Sequence, residues 1–310
     1  MSTILVTGGS GMIGRAIKDL TINDKNNWVF LSSLDGDLRD INQVINIFEK
    51  HKPDYIIHLA ANVGGLYMHI REKVSIFRDN VRMNENILEV CHKYNVQKGI
   101  FCLSSCIYPP KPSKFPMDET MIHEGPPHIT NEGYAHAKRM LEMQCRNFND
   151  QHKRDYICLI PVNLYGPYDN FNLEDSHVIP GLIHRFYNAI KNGDDKFEMY
   201  GTGKPLRQFL YSFDFAKIII DTLFEYKDNK PIICCNDELP IKDVVNKIAK
   251  KINYKGEILN DLTKSDGCMI KTVTNNRLLK LFPEFKFTSL EDGLETTIDW
   301  FIKNYDNCRK

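Results

Sequence analysis

The sequence has no excess of either charge. Its 40 Lys and Arg offset 40 Asp and Glu, so the balance gives no sign of a nucleic-acid surface. Any anion site has to be built locally from a few side chains or backbone amides. There is no apolar run of about 18 residues, the length that a membrane-spanning helix requires. The opening apolar stretch is only Ile4-Leu5-Val6, followed at once by glycines, which is not the pattern of a signal peptide. Nine cysteines are scattered without a CxxC pair or zinc-like spacing. That argues against a disulfide framework and against a metal centre, and most of these thiols read as small buried hydrophobes. Together the absences predict a cytoplasmic chain that engages no nucleic acid, no membrane and no metal. No internal repeat or low-complexity linker breaks the sequence.

What is present is alternation. In the first half, short apolar runs alternate with longer amphipathic stretches, the pattern of βαβ units around a covered parallel sheet. Strands are expected at residues 4–6, 29–31, 55–59, 100–103 and 156–160. Helices are expected at 12–22, 40–50, 75–94 and 133–151, the second with Val44, Ile45 and Phe48 on one face. Residues 161–175 are rich in Asn, Pro, Gly and Asp and read as a functional loop or a lobe boundary. Beyond them come a helix at 178–191, a strand at 196–200, a turn at 201–205 and a helix at 215–226. The tail from Leu239 holds two or three amphipathic helices and a turn-like Lys264-Ser265-Asp266-Gly267. The predicted fold class is α/β: a Rossmann doubly wound parallel sheet with a smaller C-terminal mixed α/β substrate-binding domain. The first is placed at residues 1–162, rejoined by 206–235, and the second at 163–205 and 236–310.

Gly8, Gly9, Ser10, Gly11, Met12, Ile13 and Gly14 follow the first strand and open the first helix. Glycines there let backbone amides approach a pyrophosphate with no Cβ in the way, and the helix N-terminus favours the negative charge. A glycine-rich turn without a ligand is the bland alternative. The position between first strand and first helix favours dinucleotide binding. Binders of NAD usually carry an acidic residue at the end of the second strand, whereas this strand ends Ser32-Ser33. Hydroxyls tolerate a 2′-phosphate, with Arg15 as a candidate cation, so the reading favours NADPH. Asp35 keeps NAD open. Asp37, Leu38, Leu59, Ala60 and Ala61 are placed to line the adenine side.

A YxxxK pair occurs five times, at Tyr94/Lys98, Tyr134/Lys138, Tyr187/Lys191, Tyr200/Lys204 and Tyr226/Lys230, so the pair alone decides nothing. Only Tyr134 both opens the helix before the fifth strand and follows a serine, Ser104, at the end of the fourth. The spacing of four puts Tyr134 and Lys138 on one helix face. The ammonium is expected to lower the phenol's pKa and make it a proton donor or acceptor near neutrality. Ser104 would hydrogen-bond a reacting carbonyl oxygen.

The glycine loop with the Ser-Tyr-Lys set resembles the extended short-chain dehydrogenase/reductase superfamily. Six further runs resemble the GDP-L-fucose synthases within it: His58 to Gly65, Cys102 to Pro109, Gly125 to His128, Asn163 to Asn172, His177 to Gly181 and Gly201 to Phe209. The resemblance extends from about residue 3 into the last helix. It implies NADPH as cofactor, GDP-4-keto-6-deoxy-D-mannose as substrate and a homodimer formed through the helices at 75–94 and 133–151. It further implies that Cys106 and His177 are the acid/base pair for epimerisation at C3 and C5, Cys106 as base and His177 as acid. By themselves the two residues would read as packing and as a surface or capping histidine. By the same resemblance Pro161, Asn163, Leu164 and His177 join Ser33 and Lys138 at the cofactor. Arg185, Tyr200, Arg207 and Asp266 match the positions that hold the GDP-sugar. Arg207 also makes independent sense opposite a diphosphate. The family commonly has Trp where this chain has Tyr200, which offers less stacking area. Two other readings stand beside this one. One is a nucleotide-sugar 4-epimerase or 4,6-dehydratase of the same superfamily; a dehydratase would want an acid/base pair after Ser104, where Ser105 and Cys106 stand instead. A non-catalytic NADP-binding regulator would typically have lost Tyr134 or Lys138.

Overall fold

In β1 (Thr3–Thr7) the last four of five residues are buried, as expected of a central parallel strand with both faces covered. The structure is a computed structural model that describes residues 1–310. After β1 the chain alternates strand and helix: α1 (Met12–Leu20), β2 (Asn27–Phe30), α2 (Ile41–His51), β3 (Tyr55–His58), α3 (Leu66–Arg71), α4 (Lys73–Lys93), β4 (Lys98–Cys102), α5 (Glu132–His152) and β5 (Asp155–Pro161). Then follow β6 (Asn163–Tyr165), α6 (Val178–Asn192), β7 (Lys196–Tyr200), β8 (Leu206–Tyr211), α7 (Ser212–Glu225) and β9 (Ile232–Cys234). The chain closes with β10 (Glu238–Pro240), α8 (Ile241–Lys251), β11 (Glu257–Asp261), α9 (Asn276–Leu281) and α10 (Leu290–Lys303).

Six strands form one sheet in the order β2-β1-β3-β4-β5-β9, every pair parallel. This is the doubly wound α/β sheet expected from the alternation. Because β1 is flanked by β2 on one side and β3 on the other, the connections leave β1 in opposite directions and open a crevice beyond its carboxyl end. Polar Asp40 caps α2, its carboxylate accepting from Asn42 N at 2.9 Å. Val44, Ile47 and Phe48 point from α2 into the core, so the inward row holds Ile47, and Ile45 only packs against its edge.

The remaining strands form a three-stranded sheet, β10-β8-β6, and a pair, β11-β7. With α6, α8 and α10 they enclose a second core, in which Phe186 stacks on Phe197 at 3.6 Å and Phe171 on Phe301 at 4.5 Å. Phe215, Ile218, Ile219 and Leu223 of α7 belong to the first core, where α7 lies against α1. Val273 and Leu278 are also buried there, although the sequence places residues 236–310 with the smaller part. No helix is long and apolar enough to cross a membrane.

Candidate active site

A cleft of about 1640 Å³ runs from the carboxyl ends of β1, β3, β4 and β5 to α6, β7, β8 and the loop after β11. It is lined by the site residues singled out from the sequence except Gly9 and the two candidates weighed beside the second strand, Arg15 and Asp35. Gly9 serves packing instead: a Cβ there would stand 2.7 Å from the Phe30 Cβ, so the glycine lets the loop lie on β2. Gly8 has φ of +68° and would place a Cβ 2.9 Å from Ala60 N, so both its conformation and its contact require glycine. No side chain caps α1 at Gly11, and Gly11, Met12 and Ile13 line the cleft. The first-turn amides, which lack intrahelical acceptors, are thus open to an anion. These features fit a dinucleotide diphosphate.

At the far end, Asp35 Oδ2 accepts from Ser32 N at 2.7 Å and from Ser32 Oγ at 2.9 Å. The one carboxylate that kept NAD open therefore folds back on its own loop. Arg15, the expected cation, is also engaged elsewhere, its Nε donating to Ser10 O at 3.1 Å and its guanidinium lying 5.1 Å over the Tyr168 ring. The cation that lines the cleft with Ser33, Asp37 and Leu38 is Arg39, bonded to Asp37 at 2.8 Å and Asp79 at 3.2 Å. Sequence reasoning missed it, although it follows Leu38 directly.

Ser104 stands just past β4 and caps the short turn of residues 105–107, its Oγ accepting from Cys106 N at 3.3 Å. Its hydroxyl proton remains available to a ligand oxygen. One turn apart on α5, Tyr134 and Lys138 are both buried. Lys138 Nζ lies 5.6 Å from the Tyr134 ring centroid and donates to Cys102 O at 2.7 Å. The expected lowering of the phenol pKa is not found. Burial holds Tyr134 well above its usual value and pulls Lys138 down. Desolvation opposes both charged forms, and the nearest oxygen to the ammonium is a carbonyl. A phenol kept protonated is the form that donates a proton.

Beneath these residues lies a buried polar chain. Leu59 N and Ala60 N each donate to Thr7 Oγ1 at 3.2 Å. The Thr7 hydroxyl then donates to His58 Nδ1 at 2.8 Å, leaving Nε2–H to donate to Asn84 Oδ1 at 3.1 Å. Asn84 Nδ2 reaches Ala137 O at 3.5 Å. Burial first, and then the Lys138 charge, push His58 down to about 3, so it is a neutral strut between β1, β3, α4 and α5.

Cys106 is 7% exposed and clusters with Ile76, Tyr134 and Ala135. Burial raises its thiol pKa, against the pull of Lys271 and of its contact with Ser104. His177 is the N-cap residue of α6 without a side-chain cap bond; it is exposed to the cleft, and the protein walls around it lower its pKa. Two further cleft residues escaped the sequence reading. His69 has its ring 5.3 Å from that of Tyr134, and Lys271 is depressed by burial and faces Cys106. Neither carries a local motif; only the fold brings them to the site.

On the opposite wall, the Arg185 guanidinium stacks 4.2 Å over Tyr200 and 4.7 Å over Phe197. Arg207 Nη1 donates to Leu206 O at 2.8 Å, and burial lowers its pKa. Both Asp266 oxygens are taken by Thr202, from N at 2.7 Å and Oγ1 at 2.7 Å. This carboxylate ties the 262–270 loop to the end of β7.

The chain matches the model of the NAD dependent epimerase/dehydratase family over residues 4–233. It is 46% identical to the GDP-L-fucose synthase of Dictyostelium discoideum, covering 99% of this chain and 98% of that protein. Its structure is similar to that of a GDP-L-fucose synthetase from Naegleria fowleri bound to NADP, with a TM-score of 0.94 at 44% identity, covering 100% of this chain and 95% of that one. The chain belongs to the NAD dependent epimerase/dehydratase family and, within it, to the GDP-L-fucose synthases.

Proposed function

We propose that this protein converts GDP-4-keto-6-deoxy-D-mannose to GDP-L-fucose with NADPH, inverting C3 and C5 before reducing C4. The observation that carries the reading is one cleft lined both by a serine, tyrosine and lysine reduction set and by the Cys106 and His177 pair. NADPH, when bound, supplies the hydride that reduces C4. Every other step falls to the protein's own side chains. Residues 1–162 with α7, β9 and the 273–287 segment make up the cofactor-binding part, and 163–205 with β8 and the rest of 236–310 the substrate-binding part. Gly8, Ser10, Gly11, Met12, Ile13 and Gly14 hold the cofactor's diphosphate, and Arg39 with Ser33 its 2′-phosphate. Asp37, Leu38, Leu59, Ala60 and Ala61 border the adenosine. Lys138, Pro161, Asn163, Leu164 and His177 line the nicotinamide end.

Ser104 and Tyr134 donate to the C4 carbonyl oxygen and so stabilise the enolate formed when a proton leaves C3 or C5. Cys106 takes the proton from one face and His177 returns one to the other, which is what inversion requires. With C4 reduced, Tyr134 gives its proton to the new alkoxide, a stronger base than a phenolate. Arg185, Tyr200 and Arg207 bind the GDP part, and Asp266 shapes the loop that covers it.

We further infer a homodimer and a cytoplasmic location. Val74 and Phe77 on α4 and Met143 on α5 are exposed apolar side chains on adjoining helices, which favours a partner there. All nine cysteines are free, which suits a reducing compartment. The roles of the two sets are separable: Cys106→Ser should bind NADPH as tightly as the parent yet lose GDP-L-fucose formation by at least about a hundredfold. Unchanged fucose formation by that variant removes Cys106 from the mechanism.

A further inference from the structure

The segment after α10 returns to the cleft. Past α10, Arg309 pairs with Asn170 in an isolated β-bridge, and Phe171 N donates to Arg309 O at 2.7 Å. Chain termini ordinarily fray unless something ties them down. Here the backbone is held, and the Arg309 side chain lines the cleft together with Asp169 and Asn170. Asp169 is only 6% exposed. Its Oδ1 accepts from Asn170 N at 2.7 Å, and its Oδ2 has no hydrogen-bond partner. Burial raises this carboxyl to about 7, with the Asn170 amide and then the Arg309 charge pulling the other way.

Neighbouring contacts fix where this pair stands. Tyr168 lies on the first turns of α1, its hydroxyl 3.2 Å from Asp19 Oδ2 and its ring beneath Arg15, which bonds the glycine loop at Ser10 O. Farther along the same segment, Asp175 O accepts from Gly65 N at 2.7 Å, and His177 begins α6. Asp169, Asn170 and Arg309 therefore stand between the glycine loop and His177. A dinucleotide running from Ser33 to Tyr134 carries its diphosphate past that point. The α1 amides face the diphosphate from one side, and the opposite side is where the segment carrying Arg309 arrives.

We propose that Arg309, in the segment after α10, is a binding residue for the cofactor's diphosphate. The β-bridge fixes the residue's backbone. Its side chain lines the groove beside Asp169 and Asn170. A guanidinium suits two phosphate oxygens better than an ammonium does.

The inference rests on NADPH as the cofactor. The test is fluorescence titration of the full chain with NADPH, and separately with GDP, for the parent, Arg309→Gln and Arg309→Lys. The side-chain variants keep the backbone bonds to Phe171 and Asn170, and a thermal melt confirms that they fold. The expected result is NADPH binding weakened about tenfold or more in Arg309→Gln and partly recovered in Arg309→Lys, with GDP binding unchanged. Unchanged NADPH binding in a folded Arg309→Gln overturns the proposal. So does an equal loss for GDP, which would put the cation at the sugar nucleotide. A parent chain that binds no NADPH at all would instead remove the cofactor reading itself.

Discussion

Cys106 and His177 are shifted in opposite directions, the thiol upward from 9.0 by burial and the imidazole downward from 6.5 by the protein walls of the cleft to which it is exposed. At neutral pH the pair therefore rests as thiol and neutral imidazole. Moving one proton from sulfur to nitrogen gives the thiolate and imidazolium that the proposed inversion uses, with the same total protonation. Both forms lose a needed group only when a second proton arrives or the last one leaves. Solvent-deuterium uptake at C3, measured across pH, should accordingly show a plateau spanning at least 6.5 to 9.0. It should fall below the depressed His177 value and above the raised Cys106 value. An apparent pKa near 7.5 would contradict this, because it would mean that one of the two is not desolvated in the working site. Tyr134 adds no titration in that window, since its pKa is raised further above 10.0. Ser104, Tyr134 and Lys138 were legible because strand, helix and spacing agree on them. Lys271, His69 and Arg39 were not, because they carry no motif and reach the site only through the fold. The Tyr134 pKa was misjudged for a related reason: charge proximity can be read from spacing, but burial cannot.

Among the elements, β1, β3, β4 and β5 were legible because each is an apolar run buried on both faces. Of the later strands only β7 was, at the expected residues 196–200. β9 has three residues, and β11 exposes three of its five, so neither carries a period long enough to stand out. Six-residue α3 buries no side chain and lacks the apolar stripe that marks a helix. What joins the legible elements at the site is the chain from Thr7 through His58 and Asn84 to Ala137. Replacing His58 by alanine strips Thr7 and Asn84 of partners in a dry core and opens a cavity. The expected cost is about 3 kcal/mol in urea denaturation. A loss under about 1 kcal/mol would show that water or a neighbour takes over these bonds.

At the scale of the whole molecule, a late segment of the chain crosses back to the larger core. Residues 273–287 were assigned by chain order to the smaller part, yet Val273, Leu278, Phe285 and Phe287 pack on the larger core. A chain that crosses back late in the sequence gives no local sign of doing so. The proposed dimer is testable at this scale. The parent should sediment at twice its 36.0 kDa chain mass, and the double substitution Val74→Glu with Phe77→Lys should sediment at the single-chain mass. A parent that sediments as one chain at micromolar concentration contradicts the dimer. The central claim concerns the reaction itself. The most direct measurement supplies GDP-4-keto-6-deoxy-D-mannose and NADPH and identifies the sugar formed while counting the cofactor consumed. The account predicts GDP-L-fucose, with one NADPH oxidised for each sugar. A reduced sugar with C3 and C5 uninverted, or turnover without net NADPH oxidation, would contradict it.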